Sequence, residues 1–359
     1  MKIKNLSQVL EGQPKYRYVQ INKFLFQDYI SEWAEASSLP KKLREELEVA
    51  CPLEIKAEVF AAEGRQKTQR ALIYLEDGES VETVLIRQQA DKNKDFDYAK
   101  DEDKADKREH RNTVCISSQI GCPLGCTFCA TGQLGFLRNL SSAEIVEQVV
   151  FWQRLLKTEN KLEKVDNIVF MGMGEPFLNY PEFIKAVKFI NNPETLNIGA
   201  RRMSVSTAGL TEGIKKLAGE KLQINLAISL HASTDSLRQK LMPIAKKYAL
   251  ADIFKAVDDY IKKTGRRVMF EYLMIKGVND SQKDAENLAI LMRKPLYLLN
   301  LIPYNATGRF QPSSRETVDN FKSVLEKAGV SVTVRLSFGS DIAAACGQLK
   351  GAISSNHKE

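Results

Sequence analysis

Three cysteines, Cys122, Cys126 and Cys129, stand close together in the sequence, and their spacing is the clearest sign of chemistry in the chain. Cysteine thiolates are the ligands that iron–sulfur clusters take in proteins. Gly121 and Gly125 lie between a predicted strand and a predicted helix, so the segment can form a loop around a compact inorganic group. We therefore predict a [4Fe–4S] cluster bound through three of its four irons, with the fourth iron open to a small molecule.

Zinc is the main alternative for these cysteines. A structural zinc ion normally takes four protein ligands, and the segment supplies only three. The other cysteines, Cys51, Cys115 and Cys346, are far away in sequence. Three disulfides would also fit the even count, but a chain of 359 residues has enough apolar material to fold without them. The spacing and the ligand number favour the cluster.

From residue 112 onward, apolar strand-like runs alternate with amphipathic helical runs. This rhythm predicts an α/β fold with a mostly parallel sheet. The predicted strands are Thr113–Ile116, Asn167–Phe170, Met203–Ser206, Ile224–Ser229, Val268–Met274, Tyr297–Ile302 and Val330–Leu336. The predicted helices are Ser142–Leu156, Pro181–Asn191, Thr211–Leu217, Leu250–Lys263, Gln282–Met292 and Ser314–Lys327.

The number of strand–helix units predicts a full or partial TIM-like (β/α)6 barrel, with an open doubly wound sheet as the alternative. In both folds, functional residues lie at the carboxyl ends of the strands, where the polar motifs of this chain occur.

Residues 1–90 form a separate small α+β unit in this interpretation. We predict helices over 20–34 and 40–50, then strands over Leu72–Leu75 and Val81–Ile86 joined by a turn at Asp77-Gly78-Glu79. Residues 91–111 are dense in both charges and predict a solvated linker. The core then spans 112–351, and 352–359 form a tail.

Lys and Arg outnumber Asp and Glu by 52 to 45, a mild excess that permits nucleic-acid binding without requiring it. The N-terminal residues lack the apolar run of a signal peptide, and no uncharged stretch is long enough to span a membrane. We expect a cytoplasmic protein with no membrane association.

The C-x3-C-x2-C triplet resembles the signature of radical S-adenosylmethionine enzymes, in which the open iron binds that cofactor. Further motifs resemble the RlmN/Cfr family of RNA adenine methyltransferases. These motifs are Cys115-Ile116-Ser117-Ser118-Gln119, Ala130-Thr131-Gly132-Gln133-Leu134-Gly135-Phe136, Met171-Gly172-Met173-Gly174-Glu175-Pro176, Val205-Ser206-Thr207, Ser229-Leu230-His231-Ala232 and Ala345-Cys346-Gly347-Gln348-Leu349.

The resemblance implies methylation of adenine carbon 2 in 23S rRNA and tRNA, with two S-adenosylmethionine molecules per turnover. It also implies an N-terminal RNA-binding accessory domain, an electron donor such as flavodoxin, and a monomeric enzyme. Three alternatives stay open at this point: the Cfr branch, which methylates carbon 8; a radical enzyme acting on another substrate; and a non-catalytic, zinc-stabilised RNA-binding protein.

The resemblance assigns catalytic roles to Cys346, Cys115 and Glu82. Cys346 would carry the methyl group, Cys115 would release the product through a transient disulfide, and Glu82 would take the carbon-2 proton. From the residues alone, Cys346 could equally be a buried structural thiol, Cys115 a strand core residue, and Glu82 a solvent-facing strand residue.

The resemblance also implies contacts to S-adenosylmethionine. The residues concerned are Gly174, Glu175, Ser206, Ser229, Leu230, His231 and Asn305. A carboxylate suits the cofactor's ammonium group, and a glycine-rich strand end lets a ligand approach the backbone. Basic pairs such as Arg266-Arg267 could contact phosphates, but each is more often part of a solvated face, so we assign none to the site.

Overall fold

The structure is a computed structural model that describes residues 6–62, 68–89, 110–335, 339 and 342–350. The predicted tail at 352–359 and nearly all of the predicted linker at 91–111 lie outside the described residues.

One mixed sheet forms the centre of the molecule. Ten strands of the described chain belong to it, in the order β1-β2-β3-β4-β7-β8-β9-β10-β11-β12. Their bounds are β1 Ala57–Ala61, β2 Gln69–Tyr74, β3 Ser80–Gln89, β4 His110–Cys115, β7 Asn167–Phe170, β8 Met203–Thr207, β9 Asn225–Ser229, β10 Val268–Met274, β11 Tyr297–Pro303 and β12 Val332–Val334.

From β4 to β12, each strand of this sheet pairs in parallel with its neighbour, and the spatial order of these strands follows their order along the chain. A doubly wound sheet would reverse at a switch point near its middle. The alternative of a doubly wound sheet is therefore wrong, and the sheet has the winding of a partial barrel, as the (β/α)6 prediction expected.

Helices connect the parallel strands, as the alternating pattern predicted. Their apolar faces are buried against the sheet; in Leu250–Thr264, for example, Ile253, Val257 and Tyr260 are fully enclosed. The helices are α1 Leu6–Val9, α2 Lys15–Phe26, α3 Lys41–Ala50, α4 Ala130–Gln133, α5 Ser142–Glu159, α6 Tyr180–Asn191, α7 Thr211–Gly219, α8 Asp235–Leu241, α9 Leu250–Thr264, α10 Gln282–Met292 and α11 Arg315–Lys327. No helix among the described residues is long and apolar enough to cross a lipid bilayer.

A small antiparallel hairpin stands apart from the main sheet and was not predicted. Its strands are β5, Gln119–Gly121, and β6, Phe136–Asn139. The cysteine segment and α4 lie between these two strands, so the hairpin closes the base of the cysteine loop.

The N-terminal residues extend the same sheet, because β3 pairs antiparallel with both β2 and β4. The predicted Asp77–Glu79 turn is confirmed, and Gly78 has the positive φ of +85° that such a turn favours. Strand β1 was not predicted, because it is an edge strand with no buried face and therefore has no alternation of apolar residues.

The predicted helix over 20–34 is wrong at both ends. Helix α2 begins at Lys15, directly after Pro14, and ends at Phe26. Tyr29 has a left-handed backbone with φ of +54°, which an α-helix cannot accommodate, so the apolar residues beyond it form a separate 3₁₀ turn at Trp33–Glu35. The second predicted helix, 40–50, is confirmed as α3.

Candidate active site

The cysteine loop is fixed at its start by a close approach between two backbones. The Cys122 N–H donates to the Gly135 carbonyl oxygen at 2.7 Å. Gly121, directly before it, has a φ of +73°, and a Cβ there would lie 2.1 Å from the same oxygen. Only glycine fits this position without displacing the loop.

The far end of the loop is bonded to the C-terminal segment, residues 342–350. The Ala130 N–H donates to the Gly347 carbonyl at 2.7 Å, and the Thr131 hydroxyl donates to the Leu349 carbonyl at 2.6 Å. The cysteine loop and Cys346 are thereby held together, although more than two hundred positions separate the bonded residues Thr131 and Leu349.

The three loop thiols share a poorly solvated wall. Burial raises the pKa of Cys122 to about 12, and it also raises the pKa values of Cys126 and Cys129; the neighbouring Cys129 and Cys122 add to the rise at Cys126. Thiolates in such surroundings need nearby positive charge, which bound iron provides. Within the described part of the chain, no three His, Cys, Asp or Glu side chains converge closely enough to hold a single metal ion.

One cavity of about 200 Å³ brings together most of the predicted site residues. It opens at the carboxyl ends of the parallel strands, as expected for this fold. The predicted residues that line it are Cys115, Cys122, Cys126, Cys129, Gly174, Glu175, Ser206, Ser229, His231 and Cys346. Leu230, Asn305 and Glu82 are not among its lining residues.

Glu175 is a buried carboxylate in the loop that follows β7. Its Oε1 accepts the Phe177 N–H at 3.0 Å and its Oε2 accepts the Ala208 N–H at 2.7 Å. Burial raises its pKa to about 7, while these two hydrogen bonds act in the opposite direction. The backbone at Gly174, with φ of +98°, packs against Gln119, whose side-chain oxygen accepts the Glu175 N–H. The carboxylate is thus held rigidly on the cavity wall.

Polar side chains at the ends of β8 and β9 face each other. The hydroxyls of Ser206 and Ser229 are 3.1 Å apart. Leu230 follows with its side chain fully buried, so it offers only backbone to a ligand. Two adjacent hydroxyls of this kind can donate to and accept from a polar ligand.

His231 is buried and neutral. Its Nδ1 accepts the Leu273 N–H at 3.2 Å, which leaves the proton on Nε2, and burial together with the charge of Arg238 lowers its pKa to about 3. The backbone at His231 has a φ of +55°, and the ring meets Phe128 edge to face at 4.9 Å. His231 therefore presents an N–H donor of fixed orientation.

Cys115 and Cys346 lie on the same cavity despite their distance in sequence. Cys346 is exposed, whereas Cys115 is buried at the end of β4. Burial raises the pKa of Cys115 to about 12; the neighbouring Cys346 adds to the rise and Arg335 opposes it. Cys346 is not a buried thiol, and Asn305 reaches it by donating to its carbonyl at 3.3 Å.

Glu82 is buried, so the simple interpretation of a solvent-facing strand residue is wrong. One carboxylate oxygen accepts the Lys350 N–H at 2.7 Å, and the other forms an ion pair with Arg70. The Glu82 carbonyl also accepts the Ser117 hydroxyl at 2.6 Å. Glu82 therefore ties β3 to the C-terminal segment that carries Cys346.

Three charged residues in and around the site were not predicted from the sequence. Arg238 is fully buried and donates to four backbone carbonyls, those of Leu230, Tyr248, Ala208 and Ser229. In the sequence it is indistinguishable from the polar face of helix α8. Glu271 carried a visible signal, because it is the only charged residue in the apolar strand β10.

The third missed residue, Arg335, follows β12 and lines the cavity beside Glu271. By contrast, Arg201, Lys263, Arg266 and Arg267 from the basic pairs surround a different cleft, next to the amino ends of β9 and β10 and away from the site.

Comparison with known proteins agrees with this geometry. The Radical SAM superfamily matches residues 116–289. A probable dual-specificity RNA methyltransferase RlmN from Syntrophomonas wolfei is 41% identical over 94% of this chain and 92% of its own length. The chain belongs to the RlmN family of radical SAM RNA methyltransferases. This membership implies S-adenosylmethionine and an iron–sulfur cluster as cofactors.

Further members of the RlmN family and a solved structure support the assignment. The ribosomal RNA large subunit methyltransferase N from Nitrosopumilus maritimus is 44% identical over 94% of this chain and 93% of its own. A radical SAM methyltransferase from Sphaerobacter thermophilus is 39% identical, covers 98% of both chains and superposes with a TM-score of 0.85. The predicted fold and enzyme class are confirmed.

Proposed function

We propose that this enzyme methylates carbon 2 of an adenine in 23S rRNA and in tRNA, and that the methyl group passes through Cys346. The observation that carries the proposal is the single cavity lined by the three loop cysteines, Cys115 and Cys346. The name of one relative gives large-subunit ribosomal RNA as its substrate, and the name of another gives a dual specificity for RNA, which supports a ribosomal RNA substrate and a second kind of RNA.

Cys122, Cys126 and Cys129 are the proposed ligands of a [4Fe–4S] cluster. Three thiols that line one wall without converging on a single point suit the separate corners of a cluster better than one zinc ion. With S-adenosylmethionine on its open iron, the cluster would supply a 5′-deoxyadenosyl radical for hydrogen abstraction.

The proposed S-adenosylmethionine site lies beside these cysteines. Glu175 would accept a hydrogen bond from the cofactor's ammonium group, and Gly174 lets the ligand approach the backbone. Ser206, Ser229 and the His231 Nε2–H would bind its remaining polar groups. Leu230 would contribute backbone, and Asn305 would act from the side of the C-terminal segment that it already contacts.

Cys346 would first take a methyl group from one S-adenosylmethionine, and a second molecule would provide the radical. Loss of one hydrogen from the methyl leaves a methylene that adds to adenine carbon 2. The adduct would then lose the carbon-2 proton to Glu82 and one electron to the cluster, which would regain the electron that it gave to make the radical. This order is required because an electron-poor ring carbon is a weak nucleophile.

Cys115 would release the product. Its thiolate attacks the Cys346 sulfur, the sulfur–carbon bond breaks with its electron pair staying on the methylene carbon, and that carbon takes up a proton to become methyl. The resulting Cys115–Cys346 disulfide is returned to two thiols by a dithiol reductant. Exposure of Cys346 and its position on the same cavity as Cys115 support this step.

Glu82 is the proposed proton acceptor. Its carboxylate is buried and bonded to the backbone of Lys350, four residues after Cys346. For Glu82 to accept a proton from the adenine, its hydrogen bond to the Lys350 N–H must break when the adenine enters. Movement of the C-terminal segment would then couple substrate entry to exposure of the base.

The larger organisation also belongs to the proposal. Residues 1–90 would contact RNA, 91–111 would link them to the core at 112–351, and an electron donor such as flavodoxin would reduce the cluster. The enzyme would act as a cytoplasmic monomer.

Nucleoside mass spectrometry of RNA treated with anaerobically reconstituted enzyme tests the proposal. We expect 2-methyladenosine from the wild type, none from Cys346→Ala, and wild-type amounts from the control Cys51→Ala, because Cys51 lies away from the cavity. A product methylated at carbon 8 would move the enzyme to the Cfr branch. A colourless protein with zinc and no iron, or product formation by Cys346→Ala, would refute the proposed mechanism.

A further inference from the structure

Arg335 and Glu271 are two charged residues of the cavity wall that the proposed reaction leaves without a role. Glu271 lies on β10 in register with Ser229 of β9 and Asn300 of β11. It is 4% exposed, and its Oε1 accepts the Asn300 side chain at 3.0 Å. Its Oε2 is enclosed and has no hydrogen-bond partner among the described residues.

Arg335 supplies the nearest opposite charge. Its Nη1 lies 3.9 Å from Glu271 Oε2, an ion-pair distance without a hydrogen bond. The same Nη1 lies 3.8 Å from the sulfur of Met171. Burying a carboxylate without a nearby cation costs free energy. The ion pair with Glu271 therefore favours a position of the Arg335 guanidinium at the cavity wall over one in solvent.

This position places Arg335 on the same cavity as Cys115, with Met171 in contact with both residues. The Met171 N–H donates to the Cys115 sulfur, and the Met171 side chain contacts Arg335. Burial and the Cys346 sulfur raise the pKa of Cys115, while Arg335 lowers it. Arg335 therefore favours the thiolate form of Cys115 and partly offsets the effect of burial.

Among the described residues, the sheet neighbours of Cys115 provide no alternative cation. Its partners in the sheet are Val84 on β3 and Val169 on β7, both apolar. On β3, the Glu82 carboxylate is bonded to Arg70 and to the Lys350 backbone.

We propose that Arg335, held in place by Glu271, is a positioning residue that stabilises the Cys115 thiolate as it attacks the Cys346 sulfur during product release. The inference rests on the proposed function and deepens it. The step is the one written above: the Cys115 thiolate forms the sulfur–sulfur bond, the Cys346 sulfur–carbon bond breaks, and the departing carbon takes a proton. Arg335 neither gains nor loses a proton, because guanidinium stays charged throughout.

Single-turnover experiments separate this step from the earlier ones. Enzyme methylated on Cys346 is mixed with RNA and S-adenosylmethionine, and the covalent protein–RNA adduct is followed on denaturing gels between pH 6 and 10. In Arg335→Met we expect the adduct to form to the wild-type extent but to decay more slowly. At each pH its decay rate should be about 10- to 1000-fold lower than that of the wild type, because removing an adjacent charge shifts a pKa by about 1 to 3 units and lowers the fraction of thiolate accordingly.

Arg335→Lys should restore much of the decay rate because it keeps the cation, and Arg267→Met, an exposed charge in the distant cleft, should match the wild type. Glu271→Gln is a second variant that keeps the Asn300 contact and should slow decay less than Arg335→Met. Modification of Cys115 by a small methanethiosulfonate, read by peptide mass spectrometry without RNA, should show the same order of rates.

Wild-type decay and an unchanged pH profile in both Arg335→Met and Glu271→Gln would overturn the inference. So would failure of Arg335→Met to form the adduct while it retains cluster and cofactor, because Arg335 would then act earlier. Absence of adduct and product in the wild type would instead refute the proposed function.

Discussion

At the scale of single residues, buried charges organise the site. Glu175 is satisfied by two backbone N–H groups and Arg238 by four carbonyls. Burial lowers the pKa of Arg238 to about 10, but the charge remains and lies close to Cys126. A guanidinium this well bonded stabilises the strand ends that carry Ser229 and Leu230, so we regard it as a support for the proposed cofactor site.

His231 gives a pH-dependent prediction at this scale. Its pKa is about 3 in the folded chain and about 6.5 when unfolded, so between these values the unfolded state binds more protons. Stability from His231 is therefore complete above about pH 6.5 and decreases as the pH falls. From pH 7 to pH 5, the free energy of unfolding should drop on the order of 2 kcal/mol more in the wild type than in His231→Asn.

Denaturant titrations of both cluster-free proteins at the two pH values measure this difference. Asparagine is a suitable replacement because it tolerates the left-handed backbone found at His231. Parallel losses of stability in the two proteins would show that His231 takes up its proton in the folded state.

At the scale of elements, the cysteine loop depends on contacts made far from it in sequence. The β5–β6 hairpin closes its base, and the C-terminal segment bonds to α4 at its far end. The Thr127 N–H adds a third contact by donating to the Leu241 carbonyl at 2.9 Å. The thiols are therefore positioned by the fold as a whole and not by the loop alone.

The substitution Gly121→Ala tests this dependence. The new Cβ would clash with the Gly135 carbonyl and strain a backbone of positive φ. We expect a loss of at least about 2 kcal/mol in the free energy of unfolding and less iron bound per chain after reconstitution. Gly199→Ala is the matched control, because nothing lies within 4 Å of its Cβ. Full iron loading of Gly121→Ala at wild-type stability would contradict this account of the loop.

The elements that the sequence predicted well are those with a strong apolar period. Strands β7 and β10 and helix α10 have the predicted bounds, because each packs one continuous apolar surface. The failures have a different origin. Strand β1 and the β5–β6 hairpin are short or exposed, and the end of α2 depends on the backbone at Tyr29.

The candidate site also has one part that the sequence could predict and another that it could not. The cysteine triplet is local in sequence and could be predicted from spacing alone. The proximity of Cys115 and Cys346 could not, since it requires the C-terminal segment to return across the cavity; only the family resemblance indicated it. Arg238 and Arg335 gave almost no sequence signal, because their placement depends on tertiary packing, whereas Glu271 stood out as the one charged residue of an apolar strand.

At the scale of the whole molecule, three parts of the chain close one cavity. The N-terminal strand β3 contributes Ile86, the parallel strands contribute their carboxyl ends, and residues 342–350 contribute Cys346. Glu82, also on β3, lies outside the cavity lining and accepts the backbone N–H of Lys350. The Trp152 N–H donates to the Thr83 hydroxyl at 3.1 Å, which joins β3 to helix α5. The single sheet thus connects the proposed RNA-contacting region directly to the radical centre.

The most direct test of the central claim is to follow the methyl group. Cys346 is first methylated with S-adenosylmethionine carrying a CD3 group, and the purified enzyme then completes one turnover with RNA and unlabelled S-adenosylmethionine. We expect 2-methyladenosine that retains two deuterium atoms, since one is abstracted and a solvent proton replaces it. Unlabelled product, or product with all three deuterium atoms, would contradict transfer through Cys346.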